Sequence, residues 1–131
     1  MLQTMMTFLK GCSLLEDVLL TADFLGDDSQ TVSVQALPCE PVLRRHADGG
    51  SVRQFQFRIS NRVGQNVPDG STWVSFYQGL SDWLESGENL PLLGKGQVAH
   101  EIEVRSCGAL EARGYGDNRY GMDCRLIYYQ M

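Results

Sequence analysis

Twelve residues near the end of the chain, 119–130, constrain the fold most. In this segment Tyr120, Met122, Cys124, Leu126 and Tyr128 fall on one side of a period-two pattern, which is the signature of a half-buried strand. A chain whose final strand is buried has its end built into the fold, so these residues are expected to be structural and not a tail. The cleanest strand in the chain is residues 51–63, where Phe55, Phe57 and Ile59 point one way and Gln54, Gln56, Arg58, Ser60 and Arg62 the other. That alternation describes an antiparallel sheet with one core face and one polar face.

Helical periodicity appears twice. Leu2, Met5, Met6 and Leu9 recur at i, i+3, i+4 and i+7 and predict a short helix over 2–10, stopped by Gly11. Trp73, Phe76, Tyr77, Leu80, Trp83 and Leu84 form a stripe of 3.6-residue period over three turns, with Asp69 or Ser71 available as cap and Gly87 near the end. The natural partner of that stripe is the Phe55/Phe57/Ile59 face. The expected core is therefore Phe55, Phe57, Ile59, Trp73, Phe76, Leu80, Trp83, Cys124 and Leu126.

Between these elements the signals are shorter. Residues 18–21 are β-rich, residues 26–29 form a turn cluster, and Val32, Val34 and Ala36 alternate with polar neighbours up to Pro38. Ser13 to Glu16 has the form of a weak capping box. Asp48, Gly49 and Gly50 are a turn suited to closing a hairpin between 42–47 and 51–63. Residues 98–106 set His100, Ile102 and Val104 against Glu101, Glu103 and Arg105, and a glycine-rich bend at 114–118 leads into the final strand. The expectation is a single α+β domain over 1–131, a mainly antiparallel sheet packed on one face by two helices.

The search for chemistry returns little. Eleven basic against sixteen acidic residues give a formal charge of −5, the wrong sign for a protein that holds nucleic acid by neutralising phosphates. Cys12, Cys39, Cys107 and Cys124 lack any zinc-site spacing and read as buried thiols in a reducing compartment. His46 reads as a solvated loop residue and His100 as a half-buried or interfacial strand residue, neither in a nucleophile arrangement. The glycines of 114–121 match no phosphate-binding fingerprint and precede a strand, not a helix. Asp27 and Asp28 lack the spaced oxygens of a calcium loop. No catalytic, cofactor-binding or metal-ligating residue is expected, and neither is a signal peptide or membrane span. Synthesis in the cytoplasm follows as the expectation.

What remains is a set of charged strand positions: Arg44, Arg53, Arg58, Glu101, Glu103, Arg105 and Arg125, with Arg45 beside them. A solvated sheet face and a surface that meets a neighbouring copy fit this pattern equally. The hairpin carrying Arg44, Arg45, Arg53 and Arg58 is the longest projecting element, and with Glu101, Glu103 and Arg105 it is the expected subunit interface.

Several segments together carry a family resemblance: DFLGD at 23–27, PCEP at 38–41, GSVRQF at 50–55 with Phe57, FYQGLSDWLE at 76–85, LPL at 90–92, EIEV at 101–104 and CRLIYY at 124–129. In this order they resemble the tail-terminator proteins, often labelled minor capsid proteins, of long-tailed bacteriophages and phage-like particles of Gram-positive bacteria. The N-terminal helix followed by Cys12, Leu14 and Leu15 is also similar, with Ser13 where that pattern has proline. The resemblance implies a structural, non-enzymatic virion subunit that forms a homohexameric ring on the head-proximal end of the tail tube. Its implied partners are further copies of itself, the tail tube protein, a head-completion or neck protein, and the sheath where the tail contracts. DNA would pass through the ring without specific binding, and assembly would take place in the host cytoplasm. Two other readings stay open: another head-tail joining protein or tail chaperone, and a small cytosolic enzyme or ligand-binding domain.

Overall fold

The computed structural model describes residues 1–15, 19–22, 31–64, 71–87, 90–113 and 117–131, with backbone alone at 19, 31, 62–64, 71–74, 106–113 and 117–119. The elements run α1 (Leu2–Leu9), a 3-10 turn (Ser13–Leu15), β1 (Leu19–Ala22), β2 (Thr31–Leu37), β3 (Val42–Arg45), β4 (Ser51–Gly64), α2 (Ser71–Glu85), β5 (Gln97–Arg113) and β6 (Asp117–Gln130). One six-stranded sheet has the order β1-β2-β4-β6-β5, and β3 pairs with β4 beside β2. Every pairing is antiparallel except β1 with β2.

The two strands with the clearest alternation lie side by side at the centre. β4 and β6 pair over their whole length, with Phe55 opposite Leu126, Phe57 opposite Cys124 and Ile59 opposite Met122. These positions share one face, and Phe57, Ile59, Met122, Cys124 and Leu126 are fully buried. Tyr120 and Tyr128 close the same row at 8% and 9% exposure, so all five alternating residues of the final strand are in the core.

Both helices cover that face. α1 contributes Met5, Met6 and Leu9, α2 contributes Tyr77, Leu80 and Leu84, and β2 adds Val32 and Val34. Phe8 stacks on Trp83 with ring centroids 4.9 Å apart, which joins the two helices directly. Phe55, Phe76 and Trp83 are half-buried and pack against the core from its rim, and the side chain of Trp73 lies outside the described residues. Leu80 is fully buried as expected.

The break between β2 and β3 has a chemical cause. Pro38 and Pro41 bracket it, and a proline cannot donate to a ladder. Gln54 of β4, only 8% exposed, fills the gap: its side-chain Nε2 donates to Glu40 O at 2.7 Å and its backbone N–H to Pro41 O at 3.0 Å. The unpaired backbone is thus satisfied by a side chain. The hairpin that follows turns through Gly49, whose φ of +95° is left-handed. Gly50 has a different constraint, since a Cβ there would sit 2.0 Å from Tyr129 Oη.

Several expectations shift. β5 extends to Arg113, and it is irregular: the register slips between Ala99 and Glu101, and again at 104/106, 106/109 and 110/112. The first bulge puts Ala99 opposite Tyr128 and Glu101 opposite Ile127, so His100 leaves the alternation and is exposed, not half-buried beside Ile102. The weak capping box at Ser13 is a 3-10 turn over Ser13–Leu15. The predicted turn at 26–29 and most of the 114–118 bend lie outside the described residues.

Candidate subunit interface

Both helices lie on one face, and among the described residues the opposite face carries no helix; it is bare in that sense, although Ser33, Gln54, Ser60 and Ile127 on it are buried. It mixes Val52, Val98, Ile127 and Tyr129 with rows of charged and amide side chains. Arg58 of β4 grips Asp123 of β6 with two hydrogen bonds, Nε to Oδ1 at 2.7 Å and Nη2 to Oδ2 at 3.2 Å. One row on, Arg125 of β6 donates Nε to Glu103 Oε2 of β5 at 2.9 Å, with Nη2 on the same oxygen. Gln54 Oε1 accepts from Gln56 Nε2 at 3.1 Å and from Arg125 Nη1 at 3.5 Å. The strand positions are therefore tied into a cross-strand lattice of arginine, carboxylate and amide.

The side chains of these pairs are 25–37% exposed, with Arg58 at 37% and Asp123 at 30%. Water screens them, so their value to the fold is small and their value to shape is larger. They hold long side chains in fixed positions across the strands.

The expected interface residues divide. Arg58, Glu101, Glu103 and Arg105 do belong to the bare-face strands, with Arg58 and Glu103 already paired within the chain and Glu101 and Arg105 exposed. The four hairpin arginines do not converge. Arg44 stands opposite Val52, on the bare side, whereas Arg53 stands opposite Tyr128 and Arg45 opposite Ser51, on the helix side. Arg53 Nε donates to Ser51 Oγ at 3.0 Å. The period of two along β4 separates Arg53 from Arg58, which corrects the picture of one basic hairpin surface.

Sequence reasoning missed Asp123, whose role depends on a partner 65 residues away. It also missed Asn61, which continues the Phe57/Ile59 row into the core at 0% exposure. There Tyr77 Oη of α2 donates to Asn61 Oδ1 at 2.6 Å and lies 3.3 Å from Tyr120 O. Asn61 Nδ2 has no partner.

Other chemistry is sparse. A groove of about 470 Å³ lies between α1 and the segment before β5, floored by Phe8, Trp83 and Leu90 and edged by Thr4, Thr7 and Leu92. None of its described lining residues titrates. Among the described residues no group of three or more metal-ligating side chains forms, and no helix is long and apolar enough to cross a membrane. Burial pushes the Cys12 thiol up, partly offset by hydrogen bonds from the backbone of Leu14 and Leu15. Cys39 is half-buried and Cys124 buried, both as free thiols. His46 is half-buried against Tyr129, ring centroids 5.8 Å apart, where a solvated position was expected.

No model of a known protein family matches the chain, and no curated protein matches it.

Proposed function

We propose that this protein is a tail-terminator subunit, a structural component that closes into a homohexameric ring on the head-proximal end of a phage tail tube. In that role it stops tube polymerisation and offers a surface to the neck or head-completion protein. The observation that carries the reading is the two-sidedness of the sheet: both helices pack on one face, and the other presents a cross-strand lattice of Arg58–Asp123 and Arg125–Glu103 pairs. A face so ordered is suited to contact with protein surfaces by hydrogen bonds. The segment resemblance over residues 23–129 supports the same reading.

A ring-forming subunit requires two different surfaces that complement each other, because a rotation that closes a ring joins unlike patches. The chain has unlike sheet edges, β3 on one side and β5 on the other. Its formal charge of −5 also suits a ring that DNA slides through, since like charge keeps the polymer from adhering.

The test is a tube-termination assay. Polymerising tail tube protein is mixed with increasing amounts of this protein, and tube lengths are measured by negative-stain electron microscopy. Shorter tubes with extra density at one end are expected. Tubes of unchanged length with bare ends would overturn the proposal.

A further inference from the structure

Resting on the ring reading, we infer that neighbouring copies dock edge to edge, with β3 of one copy against the first residues of β5 of the next. β3 and β5 are on opposite sides of the sheet, and among the described residues each has a strand partner on one side only. They run in opposite directions, since β3, β4, β6 and β5 are joined by three successive antiparallel pairings. A copy carried sideways across the sheet therefore brings its β3 antiparallel to its neighbour's β5, the pairing in which the backbone groups of two edges can bond.

The two edges lie at the same height. Arg44 is opposite Val52, Val52 opposite Tyr129, and Tyr129 opposite Val98. Their side chains are complementary. The β3 edge presents Leu43, 44% exposed, with exposed Arg44 and Arg45; the β5 edge presents Val98, 63% exposed, with exposed Glu101. Among the described residues Arg44, Arg45 and Glu101 make no ion pair. Arg44 and Glu101 lie on the same face, two residues apart along the ladder as counted on β4, and would be matched between two copies, whereas Arg45 faces the helix side. Further along β5 the edge is occupied, since Glu85 Oε2 of α2 accepts from the Val104 N–H at 3.4 Å. A capped edge resists strand addition, so the open stretch is the part level with β3, where each strand carries one bulge, at Leu43 in β3 and at His100 in β5.

A charge-swap experiment tests this. One variant carries Arg44→Glu, a second carries Glu101→Arg, and each is compared with the wild type by light scattering over a concentration series. Each variant alone should need about tenfold more protein or greater to assemble, with an unchanged thermal melt. An equimolar mixture of the two should recover assembly, because every interface then joins opposite charges. If the wild type assembles and both variants assemble equally well, or if mixing restores nothing, edge docking is wrong while the ring reading stands. A wild type that stays monomeric with and without tail tubes would overturn both. A wild-type oligomer other than a hexamer that responds to the swap would support edge docking and overturn the ring stoichiometry.

Discussion

Tyr77→Phe tests how α2 is anchored to the sheet. The phenol donates 2.6 Å to Asn61 Oδ1 and lies 3.3 Å from Tyr120 O, and both Tyr77 and Asn61 are fully buried. Phenylalanine keeps the ring packed, including its edge-on contact with Phe76 at 5.2 Å, and removes only the hydroxyl. Asn61 Nδ2 is already unpartnered, so the substitution leaves both polar atoms of a buried amide without the tyrosine. An orphaned buried group costs about 1–3 kcal/mol. For a chain of this length each kcal/mol moves the melting temperature by roughly 4 °C, so the expected loss is roughly 4–12 °C by far-UV circular dichroism. Asn61→Leu in the Tyr77→Phe background should recover part of it, since removing both polar partners is cheaper than removing one. A Tyr77→Phe protein as stable as the wild type, or single effects that simply add in the double variant, would refute this account of the buried pair.

Three further outcomes follow from the same geometry. Arg58→Glu places a second carboxylate against Asp123 and should cost about 1–2 kcal/mol in urea unfolding, with recovery in Arg58→Glu/Asp123→Arg; an unchanged midpoint would remove the bidentate pair from the fold. Trp83→Ala removes a half-buried ring stacked on Phe8 and should cost about 2–4 kcal/mol, less than a fully enclosed aromatic, measured by chemical denaturation. The Cys12 thiol has a raised pKa in the folded chain, so its contribution is complete below the unfolded thiol value and is lost as pH rises toward the folded one; alkylation mapped by mass spectrometry should reach Cys39 well before Cys12 at mildly alkaline pH.

The parts of the fold legible in the sequence are those with an uninterrupted period. Phe57, Ile59, Cys124 and Leu126 alternate without a break, and the structure buries all four. The α1 and α2 stripes are equally regular, and their helices begin and end within a residue or two of the predicted positions at Leu2–Leu9 and Ser71–Glu85. β5 was less legible because a bulge changes phase without changing composition. The extra residue at His100 resets which side chains face the helices, and nothing local marks it. The parallel pairing of β1 with β2 likewise has no signature in four residues.

The bare face was legible only as a list of charges. Arg58 and Arg53 look alike in the sequence, yet one is bound to Asp123 and the other lies on the opposite side of the strand. Their difference comes from long-range register, which sets Arg58 beside Asp123 and Arg125 beside Glu103. Gln54 is a similar case: a polar residue in an alternating strand reads as solvated, and it is buried because two prolines leave carbonyls of 40 and 41 that need a donor.

The most direct measurement of the central claim is the solution mass of the protein by light scattering, across a concentration series and with preassembled tail tubes present or absent. The account predicts a discrete species of six copies, free or on the tubes. A single copy at every concentration, indifferent to tubes, would contradict it.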